Sequence, residues 1–311
     1  MDSMLIVAAP LQGFTDGAWR EAHARIFGGV DEYCMPFSRV EGGAVRPRDL
    51  RELEADREAT AQAIFRDAAE LRLVAEAAVA AGHRRLDLNL GCPFPPQVSR
   101  GRGAGFIGRE SERDAVGAVV AELAAEKGVE VSVKMRLGVD AADEWRGAME
   151  WLNSLPLRRI ALHPRTARMQ YRGEPLMEEV EPFLEASNHP VVLNGDLRSV
   201  SHIEAAMGRF PQLQGVMLGR GLLACPWLAD ELRGGVWKPR RALEATIELH
   251  NAVLERYRAT LCGEAQVLAK IKPFWEYAGA LLPRRTLKAM MKAGRLDDYC
   301  GLLLRCTSEV M

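Results

Sequence analysis

Eight short apolar runs, each followed by a stretch with helical periodicity, constrain the fold of this chain more than any other feature. The runs are Leu5–Pro10, Asp31–Pro36, Ala61–Phe65, Arg85–Cys92, Val129–Arg136, Arg159–Arg165, Pro190–Asp196 and Gly215–Arg220. Most are continuously apolar, as expected of parallel strands covered on both faces. The segments Asp67–Ala81, Glu112–Lys127, Asp140–Asn153, Leu176–Ser187, Ser199–Gly208 and Ala224–Arg233 read as amphipathic helices between them. Eight β/α alternations in about 235 residues predict an α/β fold of the (β/α)8 TIM-barrel type. A doubly wound open sheet would alternate too. No GxGxxG follows the first run, which disfavours a dinucleotide-binding version of that sheet.

Two regions fall outside the alternation. Phe37–Thr60 holds Arg39, Arg46, Arg48 and Arg51 without an evident strand, and a connection that long is more often functional than idle. From Arg240 to Met311 the periodicity is helical with no strand signal. The expected division is a barrel over 1–237 and an all-α helical domain over 238–311. The net charge of −1 conceals an asymmetry, because residues from Lys238 onward carry thirteen Lys and Arg against eight Asp and Glu. Arg284, Lys288, Lys292 and Arg295 recur at helical spacing, which predicts one basic helix face. Such a face is ordinarily just solvated, unless something else implies a polyanionic partner.

Composition closes off several classes. At 311 residues and 48% hydrophobic the chain can bury a sizeable core. No apolar run approaches a membrane span, and the start Met1-Asp2-Ser3 is acidic, unlike a signal peptide. Cysteines 34, 92, 225, 262, 300 and 306 show no metal-ligand spacing. They are expected to be free thiols in a reducing cytoplasm, with no metal site.

In a TIM barrel the chemistry gathers where strands end. Here the ends deliver Pro10-Leu11-Gln12, Gln62, Asn89 with Cys92, Lys134 with Arg136, His163 with Arg165, Asn194-Gly195-Asp196 and Gly219-Arg220-Gly221. Each has a bland reading: Cys92 as a buried structural thiol, His163 as a satisfied core histidine, Lys134 as a partner for Asp87 or Asp196. Their arrival on one rim is harder to explain that way. Gly195 and the Gly219-Arg220-Gly221 turn suit a phosphate at the last two strands. Lys134 is placed to stabilise negative charge on a conjugated ring. The expected cofactor is flavin mononucleotide (FMN) ahead of pyridoxal phosphate, which would give Cys92 no role.

Six ordered stretches then carry a resemblance. Ala9-Pro10-Leu11-Gln12-Gly13-Phe14-Thr15-Asp16, Asn89-Leu90-Gly91-Cys92-Pro93 with the glycine loop behind it, and Val133-Lys134-Met135-Arg136-Leu137-Gly138 are similar to motifs of the tRNA-dihydrouridine synthases. His163-Pro164-Arg165-Thr166, Asn194-Gly195-Asp196 and Met217-Leu218-Gly219-Arg220-Gly221 complete the set in family order. The resemblance implies a flavin barrel with a helical RNA-binding tail that reduces the C5–C6 bond of uridine in tRNA with NADPH. It implies that Pro10, Leu11, Gln12, Gln62, Lys134, His163, Asn194, Gly195, Asp196, Gly219 and Arg220 hold FMN. Cys92 matches the general acid, and Asn89, Tyr171 and Arg39 match contacts to uracil and RNA. Arg100, Arg102 and Arg136, with Lys270, Lys272, Arg284, Lys288, Lys292 and Arg295 of the tail, are expected to face the tRNA. Tyr171 and Arg39 lean toward the branch acting on the D-loop, and a monomer is expected.

Departures are Pro164 where glycine is usual, no glycine soon after Gln62, and Phe106-Ile107 in the glycine loop. None removes a catalytic group. The competing expectations are a dihydroorotate or dihydropyrimidine dehydrogenase acting on a small pyrimidine, the same uridine chemistry on ribosomal RNA, and an RNA-binding barrel without flavin.

Overall fold

The run Arg-Leu-Asp-Leu-Asn-Leu at Arg85–Leu90 shows how the barrel is assembled. Side chains alternate across a strand, so Leu86, Leu88 and Leu90 join the main apolar core while Asp87 and Asn89 take the other face, where they meet polar groups of neighbouring strands. The computed structural model describes residues 4–310, and side chains through residue 305. The strands are β1 (Leu5–Ala8), β2 (Glu32–Tyr33), β3 (Val40–Glu41), β4 (Ala44–Val45), β5 (Ala61–Ala63), β6 (Arg85–Leu90), β7 (Glu130–Gly138), β8 (Leu157–Thr166), β9 (Val191–Asn194) and β10 (Gly215–Leu218). Eight of them form one parallel sheet in the order β2-β1-β10-β9-β8-β7-β6-β5. Parallel bridges Cys34–Thr60 and Ser38–Ala63 join the two edges and close the TIM barrel.

Helices cover the outside. Helix 68–80 starts where Asp67 accepts from the Glu70 N–H, and it buries Leu71, Val74, Ala75 and Ala78 along one stripe. Helix 110–127 buries Val116, Val119, Val120 and Leu123, then stops at Gly128 in the left-handed region at φ +61°. Each fully buried leucine of this shell contributes about 1.5–3 kcal/mol.

The inside is mixed. Val7, Ala9, Cys34, Ala161, Val192 and Met217 form a separate small apolar cluster. Near the N-terminal strand ends lies an ionic plug: Arg159 pairs with Glu32, to which Thr60 also donates at 2.7 Å. Arg158 reaches the same carboxylate at 2.9 Å. Burial works to raise Glu32, yet Arg159 holds its carboxyl below the usual range.

Three expectations about elements are corrected. Phe37–Thr60 contains the β3–β4 hairpin and helix 47–55. Asp140–Asn153 is not one helix: the helix is Arg146–Ser154. Ahead of it, Glu144 accepts from the N–H groups of Val139, Asp140 and Ala141 at 2.9, 2.8 and 2.7 Å and holds that stretch as a turn. Ala224–Arg233 is broken at Cys225-Pro226 into Arg220–Ala224 and Leu228–Leu232, as Pro226 lacks the N–H a continuous helix needs.

From Pro239 the chain is helical among its described residues. Helix 239–260 packs on helix 17–26, with Asp16 as the clasp. Asp16 caps helix 17–26 through the Trp19 N–H at 3.3 Å, accepts from Tyr257 Oη at 2.8 Å and pairs with Lys270 at 2.7 Å. No helix among the described residues is long and apolar enough to cross a membrane.

Candidate active site

A cleft opens at the C-terminal strand ends. Pro10, Leu11, Gln12, Gln62, Lys134, His163, Asn194, Gly195, Asp196, Gly219 and Arg220 all line it, together with Asn89, Cys92, Arg136 and Tyr171. Residues from seven strand ends thus meet in one place. Pro36, Phe37, Leu197 and Met217 also line the cleft. Sequence reading passed over these, because apolar residues at strand ends look like core.

A relay of amides sets the floor. Asp87 accepts from Ser132 Oγ and Gln62 Nε2, both at 2.7 Å. Gln62 Oε1 then accepts from Asn89 Nδ2 at 2.9 Å, and Asn89 Oδ1 accepts from the N–H groups of Gly91 and Cys92 at 3.1 and 2.8 Å. Each amide is thereby fixed in one orientation, with one N–H of Gln62 and one of Asn89 left over. The relay also pins the backbone that carries Cys92. Asp87 starts it, and only the alternation Leu86-Asp87-Leu88-Asn89 pointed to its inward direction.

The titratable groups are tuned by burial. Burial pushes the Cys92 thiol above its ordinary value, outweighing the Phe94 N–H and the charges of Arg136 and Lys134. The thiol is therefore protonated at neutral pH. Lys134 is brought down to about 8, first by burial and then by the Arg136 charge. It makes no hydrogen bond or ion pair with a described side chain. Burial and the nearby cations Arg136, Lys134, Arg165 and Arg220 hold His163 well below 6.5. Arg165 Nη1 lies 3.0 Å from His163 Nε2. A guanidinium can only donate, so the proton of the neutral ring sits on Nδ1.

The far end of the cleft is cationic. Asp196 binds Arg165 at 2.5 Å, Arg198 at 3.1 Å and Arg220. Burial works to raise this carboxyl, but Arg165 and Arg220 keep it below the usual range. Three guanidinium groups share one carboxylate, which leaves a surplus of positive charge for an anion. The backbone turns sharply there, with Gly195 at φ +126° and Asp196 at φ +46°. A Cβ on Gly195 would lie 2.9 Å from His163 Cδ2. Gly195→Ala is expected to strain this turn by about 1–3 kcal/mol and to displace His163. If the turn holds the phosphate of the expected flavin mononucleotide, the variant should retain that cofactor more weakly; unchanged retention would show that it does not.

The other expected substrate contacts divide. Tyr171 lines the cleft and is half exposed, its ring 4.4 Å from the Arg220 guanidinium and 5.2 Å from that of Arg136. Arg136 is buried and donates to the carbonyls of Gly91, Thr166 and Gln170. Arg100, Arg284, Lys288, Lys292 and Arg295 are exposed. However, helix 284–292 ends before Arg295, which sits in the following turn, so the basic face is shorter than its spacing suggested. Arg39 is half-buried against Glu41, and Lys270 is committed to Asp16.

One expectation is overturned, and a second cation has protein partners. Arg102 is buried, pairing with Glu70 at 2.5 Å and donating to Val40 O at 3.1 Å, so it ties helix 68–80 to the hairpin and does not face RNA. Lys272 Nζ donates to Met291 O and Ala293 O at 3.1 and 2.5 Å, where it neutralises the C-terminal end of helix 284–292. The glycine loop is likewise packed and not loose, since a Cβ on Gly103 would lie 2.7 Å from Cys92 Cβ. Cys34, Cys92, Cys225, Cys262 and Cys300 are free thiols, and the side chain of Cys306 lies outside the described ones. Among the described residues no group of three or more His, Cys, Asp or Glu is placed to hold a metal ion.

Comparison with known proteins adds names. A family model described as dihydrouridine synthase matches residues 6–291. The chain is 30% identical over 266 residues to a probable tRNA-dihydrouridine synthase of Rickettsia bellii, covering 82% of this chain and 78% of that protein. It is 26% identical over 261 residues to tRNA-dihydrouridine synthase B of Pseudomonas putida, covering 82% and 75%. Among solved structures, morphinone reductase superposes with a TM-score of 0.53 at 10% identity, over 76% of this chain and 87% of that one. An old yellow enzyme homologue from Zymomonas mobilis gives 0.52 at 10% identity, over 76% and 90%. At such identities these two structures speak for the barrel alone.

Proposed function

Because this chain belongs to the dihydrouridine synthase family, we propose that it reduces uridine in tRNA to 5,6-dihydrouridine, using FMN and NADPH. The observation that carries this reading is the content of one cleft: a protonated thiol, an ammonium without a hydrogen-bond or ion-pair partner among the described side chains, and a cationic turn. That cleft fits a phosphate-tailed flavin. Arg220 and the Gly195 turn are suited to the phosphate, His163 Nδ1–H to a neighbouring oxygen, and Lys134 with the spare N–H of Gln62 to the ring. When bound, the flavin supplies the hydride that adds to C6 of the uracil, having taken it from NADPH.

The chain's own groups supply the rest. Cys92 gives its proton to C5, and its burial keeps that proton in place at neutral pH until the carbon needs it. The leftover N–H of Asn89 is available to a uracil carbonyl, and Tyr171 closes the mouth against water. The base must leave its stack to enter the cleft, at a cost of a few kcal/mol. The exposed cations Arg100, Arg284, Lys288 and Lys292 offset that cost by contacting phosphates. A TIM barrel with this chemistry is suited to the cytoplasm, where its substrate is made.

Two measurements test this reading. Purified protein should be yellow and should form dihydrouridine in unmodified bulk tRNA with NADPH; a yellow protein that leaves tRNA unchanged would redirect the search to ribosomal RNA or a small pyrimidine. The second is the pH profile. Lys134 is charged below about 8 and neutral above it, so raising the pH through that value removes the charge facing the flavin. The value of kcat/KM should fall from about pH 8, before the Cys92 thiol ionises. Lys134→Arg keeps its charge to far higher pH, so the fall should move upward, and an unmoved profile would acquit Lys134.

A further inference from the structure

Of the large apolar side chains exposed among the described residues, two are aromatic, Tyr171 and Phe94, at 48% and 57% exposure. Tyr171 belongs to the cleft and is held by two arginines. Phe94 has no such explanation. It sits two residues beyond Cys92, directly after the cleft-lining Pro93, and has no ring or cation partner among the described residues.

Its mount is stiff. Pro93, Pro95 and Pro96 surround it and fix their own φ angles. Its carbonyl accepts from the N–H groups of Gln97 and Val98 at 2.8 and 3.1 Å. The segment behind is tightly packed as well, since a Cβ on Gly105 would lie 2.5 Å from Val98 O. A phenyl ring held out into water on rigid backbone, on the lip of a cleft, gains nothing for the free protein. It is prepaid for a partner with a flat apolar face.

Resting on the reading just given, we infer that Phe94 is a base-stacking residue, receiving the nucleobase next to the uridine that enters the cleft. Drawing one base out of a stack bares the face of its neighbour, and an aromatic ring on the lip covers that face. Arg100 supports this choice of occupant. It is exposed on the same loop, and its guanidinium has no hydrogen-bond or ion-pair partner among the described residues, so it can meet the backbone phosphate of that nucleotide. A protein surface would bring a broader apolar patch, and none of the other exposed apolar side chains lies on this loop.

The test compares Phe94→Ala, Phe94→Leu and Phe94→Trp with wild type on unmodified tRNA, alongside flavin reduction by NADPH without RNA. The ring is exposed, so the variants should fold. For alanine and leucine kcat/KM on tRNA should fall on the order of ten- to a hundredfold, the range of one base–aromatic stack. Tryptophan should retain it, and flavin reduction should be equal in all four. Alanine at wild-type activity would overturn the inference. So would leucine at wild-type activity, which would leave only apolar bulk, or slowed flavin reduction, which would mean the substitution disturbs Cys92's loop. Wild-type protein that leaves tRNA unmodified overturns the parent reading instead, and shows itself before any variant is compared.

Discussion

Cys92→Ala should lower dihydrouridine formation by about 10²- to 10⁴-fold, the usual worth of a positioned general acid, while the protein stays yellow. The two halves separate because Cys92 lies at the end of β6, and the groups suited to the ring and phosphate come from β5, β7, β8 and the turns after β9 and β10. NADPH should still bleach the flavin at the wild-type rate, since that half-reaction needs no proton on the uracil. Cys92→Ser should do little better than alanine, because a hydroxyl holds its proton far more tightly than a thiol. A variant that converts tRNA at the wild-type rate would remove Cys92 from the chemistry. One that also loses its colour would mean the thiol helps to shape the cofactor site.

The second large effect concerns stability. Glu32→Ala leaves Arg159 buried without its nearest counter-charge, and breaking a buried pair from one side costs about 3–5 kcal/mol. Thermal unfolding at neutral pH should show the loss plainly. The pH dependence identifies its origin. Glu32 is held below its ordinary value in the folded protein, so its contribution is present above the ordinary carboxylate range and is lost as pH falls through its folded value. The gap between variant and wild type should therefore narrow only in acid. A gap independent of pH would point to lost packing, and the absence of a gap would mean the plug does not hold the barrel.

The barrel and its cleft were legible because both rest on local order. Strand runs, turn glycines and the polar residues at strand ends are neighbours in sequence, so His163 with Arg165, or Asn194 with Gly195 and Asp196, announce themselves together. Arg102 was misread for the opposite reason. In Arg-Gly-Arg-Gly it looks mobile and basic, and the Glu70 that buries it lies in another helix. The partners of Lys272 were hidden in the same way, since the carbonyls it caps belong to residues 291 and 293. The β3–β4 hairpin went unseen because strands of two residues are too short for alternation to register. Phe94 was passed over as one apolar residue among prolines; its significance lies in its exposure, which no local pattern encodes.

The ionic plug has one more consequence. Glu32, Arg159 and Thr60 fill the base of the barrel with buried groups, so the cleft opens away from them, at the end where Tyr171 and Cys92 line it. On the function proposed above, NADPH and tRNA would both approach the flavin from that end. If both use that end, they should take turns, and initial rates measured against both substrates should follow a ping-pong pattern; a sequential pattern would show that nucleotide and RNA are held together.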